Sequence, residues 1–124
     1  MVIQVKRVYD PPERSDGKRI LVDRLWPRGL SKDKARVDLW MKEVAPSKGL
    51  RTWYGHDPGK WNDFRERYFV ELDANPLAVQ ELLDHAQAGP VTFVFSAREH
   101  TLNNAEALKE YIDEMDRKAG GKIS

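Results

Sequence analysis

The chain has 124 residues, of which 40% are hydrophobic and 33% charged, and it contains four Trp and no Cys. This composition is typical of one globular domain with a single core and argues against disorder. The lack of cysteine excludes a disulfide framework, thiol catalysis and a Cys-ligated metal. No apolar run approaches the ~18 residues that span a bilayer, and the first residues predict a strand and not a signal peptide. We therefore expect a cytoplasmic protein.

The net charge is +1, but the charges are unevenly distributed. Residues 1–54 carry 13 Lys and Arg against seven Asp and Glu, so the N-terminal half is basic and the remainder is acidic. A near-neutral total argues against strong nonspecific binding to nucleic acid, which requires many phosphate contacts. The basic half could still bind a small anion locally, or its charges could simply be solvated.

The first part of the chain predicts two strands, at residues 2–9 and 18–24, joined by a loop rich in Pro, Asp and Gly. The second strand has an apolar centre suited to burial on both faces. The segment after it is a loop, because Pro27 lacks a backbone N–H and Gly29 tolerates a positive φ.

Capping residues predict the helices that follow. Ser31 is expected to cap a short helix, and Ser47 another that runs to about residue 54. Between them, residues 37–44 fit a helix or a strand. Asp57 as N-cap and Pro58 as first helical residue predict the clearest helix of the chain. Its core-facing stripe is expected to consist of Trp61, Phe64, Tyr68, Phe69 and Leu72.

The last part of the chain predicts helix, strand and helix. A helix begins at Pro76, and residues 91–95 form a buried strand. The inward residues of that helix are expected to be Leu77, Val79, Leu82, Leu83 and Ala86. Asn103 or Asn104 caps a final amphipathic helix, and residues 120–124 are expected to be a flexible tail.

Strands that alternate with helices predict an α/β fold. We expect a single three-layer domain over residues 1–119, with a short, mostly parallel sheet flanked by helices. Ligands bind such sheets beyond the carboxyl ends of the strands. If the strands at 18–24 and 91–95 are parallel neighbours, the polar segments that follow them meet at one edge.

Motifs of one protein family run through nearly the whole chain. They lie at residues 8–12, 21–32, 40–47, 54–58 and 91–98, at Trp61, Phe64, Arg65, Tyr68, Leu72 and His100, and at residues 103–105. In these segments the chain resembles the domain of unknown function 488 family, in its YeaO-like branch, and the run at residues 22–32 is highly specific.

The resemblance implies a small cytoplasmic bacterial or archaeal protein of unassigned activity. It supplies no substrate. The chain departs from the family pattern at Asn104, where relatives commonly have His. If that histidine is catalytic in relatives, the resemblance implies that this chain lacks the catalysis.

Residues after the two central strands are candidates for binding an anion. Arg24 and Arg28 could clamp a phosphate or carboxylate, or could instead pair with nearby aspartates and pin the loop. Trp26 could stack on a planar ligand or cover the core. Arg98 and Asn103 lie beside the start of the last helix, whose free N–H groups attract anions.

Two histidines are candidates for proton transfer. His56 could act as a general base oriented by Asp57, although adjacent residues rarely face each other and Asp57 already serves as an N-cap. His100 could form an acid–base pair with Glu99 or Asp57, or could be a loop histidine bonded to the backbone.

The sequence predicts no metal and no cofactor. Metal binding would need His56, His100 and a carboxylate, and no HxH or HExxH spacing supports it. There is no Gly-rich phosphate loop and no GxSxG motif, so nucleotide-binding and hydrolase classes with those motifs are unsupported.

Our first hypothesis is therefore a pocket for an anionic small molecule, which bears phosphate or carboxylate and could be nucleotide-like. Arg24, Arg28 and Trp26 would bind it, and His56 or His100 would supply acid–base chemistry if the protein is an enzyme. The alternative is a regulatory module that binds nucleic acid or a partner protein through the basic N-terminal half. A third hypothesis assigns the exposed face to homodimerisation alone.

Overall fold

The computed structural model of the protein describes the backbone of residues 1–123 and the side chains of residues 1–120. One sheet holds the strands β1 (Ile3–Arg7), β2 (Lys18–Leu21), β3 (Leu39–Trp40) and β4 (Val91–Phe95). Their order is β1-β4-β2-β3, and every pair is parallel. The helices are α1 (Lys32–Ala35), α2 (Lys48–Tyr54), α3 (Trp61–Asp73), α4 (Pro76–Ala88) and α5 (Asn104–Ile123). The prediction of an α/β domain with a short parallel sheet is confirmed.

The two central strands, β2 and β4, are buried on both faces. Successive side chains of a strand point to opposite faces, so Ile20 packs into the larger core with Phe93, whereas Leu21 packs with Val94 in a smaller cluster on the other face. All four of these side chains are fully buried. This is the burial that the apolar centre of the second strand predicted.

The larger core lies between the sheet and helices α2 to α5. Its α3 contribution is the predicted aromatic stripe, in which Phe64, Tyr68 and Leu72 are buried. Trp61 and Phe69 are half-buried and pack against the edge of the same core. On the opposite face of the sheet, a smaller cluster is covered by the four-residue α1 and by residues of the segments before and after it, so that outer layer is thin.

Three helix starts use the predicted capping side chains. Ser31 Oγ accepts from the N–H of Lys34, and Ser47 Oγ accepts from the N–H of Leu50. Asn103 Oδ1 accepts from the N–H of Glu106, so Asn103 caps α5. Each bond satisfies an N–H that the first helical turn leaves unpaired.

Several boundaries differ from the predictions. The first two strands are shorter than residues 2–9 and 18–24, because the chain leaves the sheet at Val8 and after Leu21. The segment 37–44 is divided between β3 and a 3-10 helix, Lys42–Val44. Asp57 caps a 3-10 turn, Pro58–Lys60, that leads directly into α3.

The predictions for two helices need correction or qualification. Leu77 of α4 was expected to face inward, but it is 85% exposed. It stands five residues before Leu82, about 140° around the helix, and so on the opposite face. Helix α5 extends to Ile123, over most of the tail expected at residues 120–124, and Ser124 lies outside the described residues.

A buried ion pair lies at the amino-terminal edge of the sheet, where β2 begins. Arg19 Nη1 lies 2.7 Å from Asp16 Oδ2, and both residues are almost fully buried. Burial alone would raise the pKa of Asp16, but hydrogen bonds from the Glu13 N–H, from Arg19 and from Lys6 lower it below its usual value. This carboxyl group is therefore charged at neutral pH.

Within the part of the chain that the structure describes, no helix has the length and apolar composition needed to cross a membrane.

Candidate functional site

A cavity of about 510 Å³ lies at the carboxyl edge of the sheet, where β2 and β4 end side by side. Open parallel sheets bind ligands at this edge, and the volume is typical of small-molecule sites. The lining residues are Asp23, Arg24, Leu25, Pro46, Lys48, Arg51, Thr52, Tyr54, His56, Phe64, Ser96, Ala97, Asn103 and Asn104. The segments after the two central strands thus meet, as their parallel pairing predicted.

Asp23 ties the floor of the cavity together. Its Oδ2 accepts hydrogen bonds from the backbone N–H and the hydroxyl of Ser96, at 2.9 and 2.8 Å. Its Oδ1 accepts from Nδ2 of Asn104 at 3.1 Å, and the same nitrogen donates to the carbonyl of Val22 at 3.2 Å. One carboxylate therefore joins the ends of β2 and β4 to the start of α5.

One wall of the cavity is basic. Arg24 comes from the loop after β2, and Lys48 and Arg51 lie three residues apart on α2, which places them on one helix face. The start of α2 is held by Glu71, which accepts from the N–H and hydroxyl of Ser47 at 2.8 and 2.6 Å.

The cations of this wall lack ionic partners among the described residues. Asp23 is the one carboxylate among the lining residues, and Ser96 and Asn104 already donate to it. Arg24, Lys48 and Arg51 therefore leave the cavity with an excess of positive charge. Such a concave basic surface concentrates small anions.

Another wall is aromatic. The rings of Tyr54 and Phe64 stack with centroids 4.4 Å apart, and both residues are largely buried. The Tyr54 hydroxyl donates to the carbonyl of Leu102 at 2.9 Å. Burial, and then the charges of Glu99 and Asp57, raise the pKa of this hydroxyl, so it stays protonated at neutral pH.

His56 lies at the cavity beside Tyr54, with ring centroids 6.0 Å apart. Its backbone φ of 57° is left-handed, directly after Gly55 at 53°. Asp57 does not orient the imidazole, because its carboxylate accepts from the N–H of Gly59 at 2.9 Å, in its capping role. The predicted pair of His56 and Asp57 is therefore not formed.

The structure brings only some of the predicted site residues together. Arg24, His56 and Asn103 line the cavity, whereas Arg28 and His100 do not. Asn103 is 3% exposed, and both ends of its amide are already bonded within the protein. Its Oδ1 caps α5, and its Nδ2 donates to the backbone carbonyl of residue 99.

The other predicted residues lie on neighbouring surfaces. Trp26 donates from Nε1 to the carbonyl of Leu30 and packs edge-to-face on Trp40, with centroids 5.5 Å apart, so it covers the smaller core. Arg28 has an exposed side chain on the same loop. Arg98 and His100 are exposed on the loop between β4 and α5, outside the cavity lining.

Sequence reasoning missed the basic residues of α2 and the tie formed by Asp23. A local signal for the first existed, because Lys48 and Arg51 follow the predicted cap Ser47 at a spacing that shares one helix face. No local signal pointed to the contact of Asp23 with Ser96, which are 73 residues apart in the chain.

In the described residues, no group of three or more His, Asp or Glu side chains is placed to hold a metal ion.

The fold and the cavity define a small α/β protein with an open parallel sheet and a pocket at its carboxyl edge. The chain belongs to the DUF488-N3i family, described as the inactive DUF488-N3 subclade, whose model matches residues 2–123. This confirms the resemblance drawn from the sequence motifs.

Relatives of the chain carry no assigned activity in their names. The uncharacterized protein YeaO of Escherichia coli K12 is 45% identical over 112 residues, which cover 90% of this chain and 97% of that protein. Uncharacterized proteins of Mycobacterium tuberculosis H37Rv and Mycobacterium bovis are each 44% identical over 111 residues, or 90% of this chain and 93% of theirs. No solved structure matches the chain.

Proposed function

We propose that the cavity binds a small anionic molecule and that the protein acts through this binding without catalysing a reaction. The observation that carries the proposal is the basic wall of Arg24, Lys48 and Arg51, which faces a cavity whose one carboxylate, Asp23, already accepts three hydrogen bonds.

The chemistry of this wall favours phosphate or carboxylate. The guanidinium groups of Arg24 and Arg51 can form bidentate, charge-assisted hydrogen bonds to such groups, and Lys48 adds a point charge. The aromatic wall of Tyr54 and Phe64 favours a ligand with an apolar or planar part beside the anion. A nucleotide-like molecule combines both features.

Two observations support binding without catalysis. Of the histidines proposed for acid–base chemistry, His100 lies outside the cavity lining, and His56 lacks the orienting carboxylate expected from Asp57. The family to which the chain belongs is, in addition, described as inactive. A general base needs both reach and an appropriate environment.

The alternative function, in which the basic N-terminal half binds nucleic acid, has less support. Part of that charge is used inside the protein, because Arg19 is 3% exposed and paired with Asp16. Lys6 also pairs with Asp16, at 3.3 Å. These cations are not available to contact phosphates on a nucleic acid.

The test is calorimetric titration with inorganic phosphate, pyrophosphate, adenosine monophosphate and citrate at low ionic strength. Arg24→Ala and Arg51→Ala should each lower the affinity for the anion that binds by about tenfold or more. This is the loss expected for a charged hydrogen bond of ~1.5–3 kcal/mol. Arg28→Ala is the matched control, because Arg28 is an exposed arginine four residues from Arg24 and outside the lining. It should change affinity by less than about twofold.

Two results would contradict anion binding in the cavity. If none of the four anions binds, or if Arg28→Ala weakens binding as much as Arg24→Ala, the cavity is not the anion site. Retention on duplex DNA that falls steeply with salt would instead favour the nucleic-acid function.

The cytoplasm stays the proposed location of the protein.

A further inference from the structure

The side chains on the floor of the cavity have already used their hydrogen-bond donors. The hydroxyl of Ser96 donates to Asp23, and both N–H groups of the Asn104 amide have acceptors, Asp23 Oδ1 and the carbonyl of Val22. On the adjoining wall, the Tyr54 hydroxyl donates to the carbonyl of Leu102. What these three side chains can still offer a ligand is acceptor oxygen.

The orientation of the Asn104 amide is unambiguous. Its Nδ2 lies 3.1 and 3.2 Å from two oxygens that can only accept, so the nitrogen and not the oxygen must face them. Asn104 Oδ1 accepts no hydrogen bond from a described residue. No buried side-chain oxygen or nitrogen of the described residues lacks a partner. Oδ1 is therefore accessible, on a residue that lines the cavity.

The cavity thus has two chemical zones. Donors and positive charge lie on the wall of Arg24, Lys48 and Arg51, and side-chain acceptors lie on the floor at Ser96 and Asn104. A ligand that displaces water from the cavity removes the hydrogen bonds that water donates to these oxygens. The floor therefore favours a ligand that supplies hydrogen-bond donors of its own. The basic wall disfavours a cationic donor such as an ammonium group. A neutral hydroxyl group meets both requirements.

We propose that the ligand is a hydroxylated phosphate ester of the sugar phosphate class, with its phosphate at the basic wall and its hydroxyl groups donating to Asn104 Oδ1 and Ser96 Oγ. This inference rests on the proposed function, because it names the class of anion that the cavity takes. It makes Asn104 and Ser96 specificity-determining residues.

The test compares phosphate esters with and without hydroxyl groups. Calorimetry measures the affinities of ribose 5-phosphate, glucose 6-phosphate and methyl phosphate for the full chain. At least one sugar phosphate should bind about tenfold or more tightly than methyl phosphate, because only the sugar supplies donors to the floor. Ser96→Ala should reduce several-fold the ratio of the sugar phosphate affinity to the methyl phosphate affinity. Ser15→Ala, an exposed serine far from the cavity, is the matched control and should change neither.

The outcomes separate this inference from the proposed function. If methyl phosphate binds and Arg24→Ala weakens it, but neither sugar phosphate binds more tightly, the hydroxyl inference is overturned and the anion site stands. If no ester binds, the hydroxyl inference falls, and the titration with the four anions decides the proposed function separately. Equal weakening of methyl phosphate and sugar phosphate by Ser96→Ala would place the phosphate at the floor, which also overturns the inference. The preference of the unsubstituted protein decides the matter even if Ser96→Ala unfolds.

Discussion

Asp23→Asn is the substitution that most directly tests the floor of the cavity. The change keeps the size of the side chain but replaces one acceptor oxygen with an NH₂ group and removes the charge. The remaining oxygen can still accept from the N–H and hydroxyl of Ser96. The new NH₂ group then faces Nδ2 of Asn104, donor against donor, where a bond of 3.1 Å stands now.

The expected cost follows from that lost bond. A hydrogen bond to a charged group contributes about 1.5–3 kcal/mol, and the two bonds from Ser96 also weaken when the charge is removed. Because Asp23 is half-buried, we expect the free energy of unfolding to fall by roughly 1.5–3 kcal/mol in total.

The assay is urea unfolding followed by tryptophan fluorescence. With an m value of ~1–3 kcal/mol/M, the midpoint should fall by about 1 M while m stays unchanged. Asp10→Asn is the control, because Asp10 is also half-buried but its side chain accepts no hydrogen bond from a described residue. It should change stability by no more than about 0.5 kcal/mol. Equal effects of the two substitutions would show that Asp23 does not tie the strand ends to α5.

Two further predictions concern the rest of the fold. Gly17 has a φ of 65°, and a Cβ there would collide with the carbonyl of Pro90, so Gly17→Ala should cost at least ~1–3 kcal/mol in urea melts. Gly49→Ala, in α2 with open space around it, should instead stabilise by about 0.5–1 kcal/mol, and the opposite order would contradict the backbone geometry. Hydrogen bonds, including that from Arg19, lower the pKa of Asp16 in the folded protein below its unfolded value of ~3.9. The charged carboxylate of Asp16 therefore stabilises the fold fully above pH ~3.9, and this stabilisation is lost as the pH falls towards the folded pKa. Asp16→Asn should reduce the pH dependence of the midpoint below pH ~4, and an unchanged profile would show that this carboxylate does not contribute.

The features that the sequence predicted well are set by local chemistry. Ser31, Ser47 and Asn103 cap helices in the structure because a side-chain oxygen two or three residues before a free N–H needs no distant partner. The buried strand β4 was equally clear from its apolar residues. The prediction that Leu77 faces inward was wrong, because it considered the hydrophobicity of the residue and not its angle around the helix.

The site was only partly predictable because it depends on contacts between distant segments. From the general behaviour of parallel sheets, the sequence predicted that the segments after β2 and β4 meet at one edge, and the cavity lies there. It could not distinguish Arg24 from Arg28, because the direction of the chain after β2 is fixed by the bond of Asp23 to Ser96. Lys48 and Arg51 line the cavity because of the position of α2, which packs beside α3.

In the proposed function, the basic wall of the cavity holds the anion. The most direct measurement is an NMR titration of the ¹⁵N-labelled chain with inorganic phosphate, followed through the backbone amides and the arginine side-chain Nε–H signals. We expect saturable shifts at Arg24, Lys48 and Arg51 and at their neighbours, with little change at Arg28. Shifts centred on Arg28 or on the loop of Arg98, or no saturable shift at all, would contradict the proposed function.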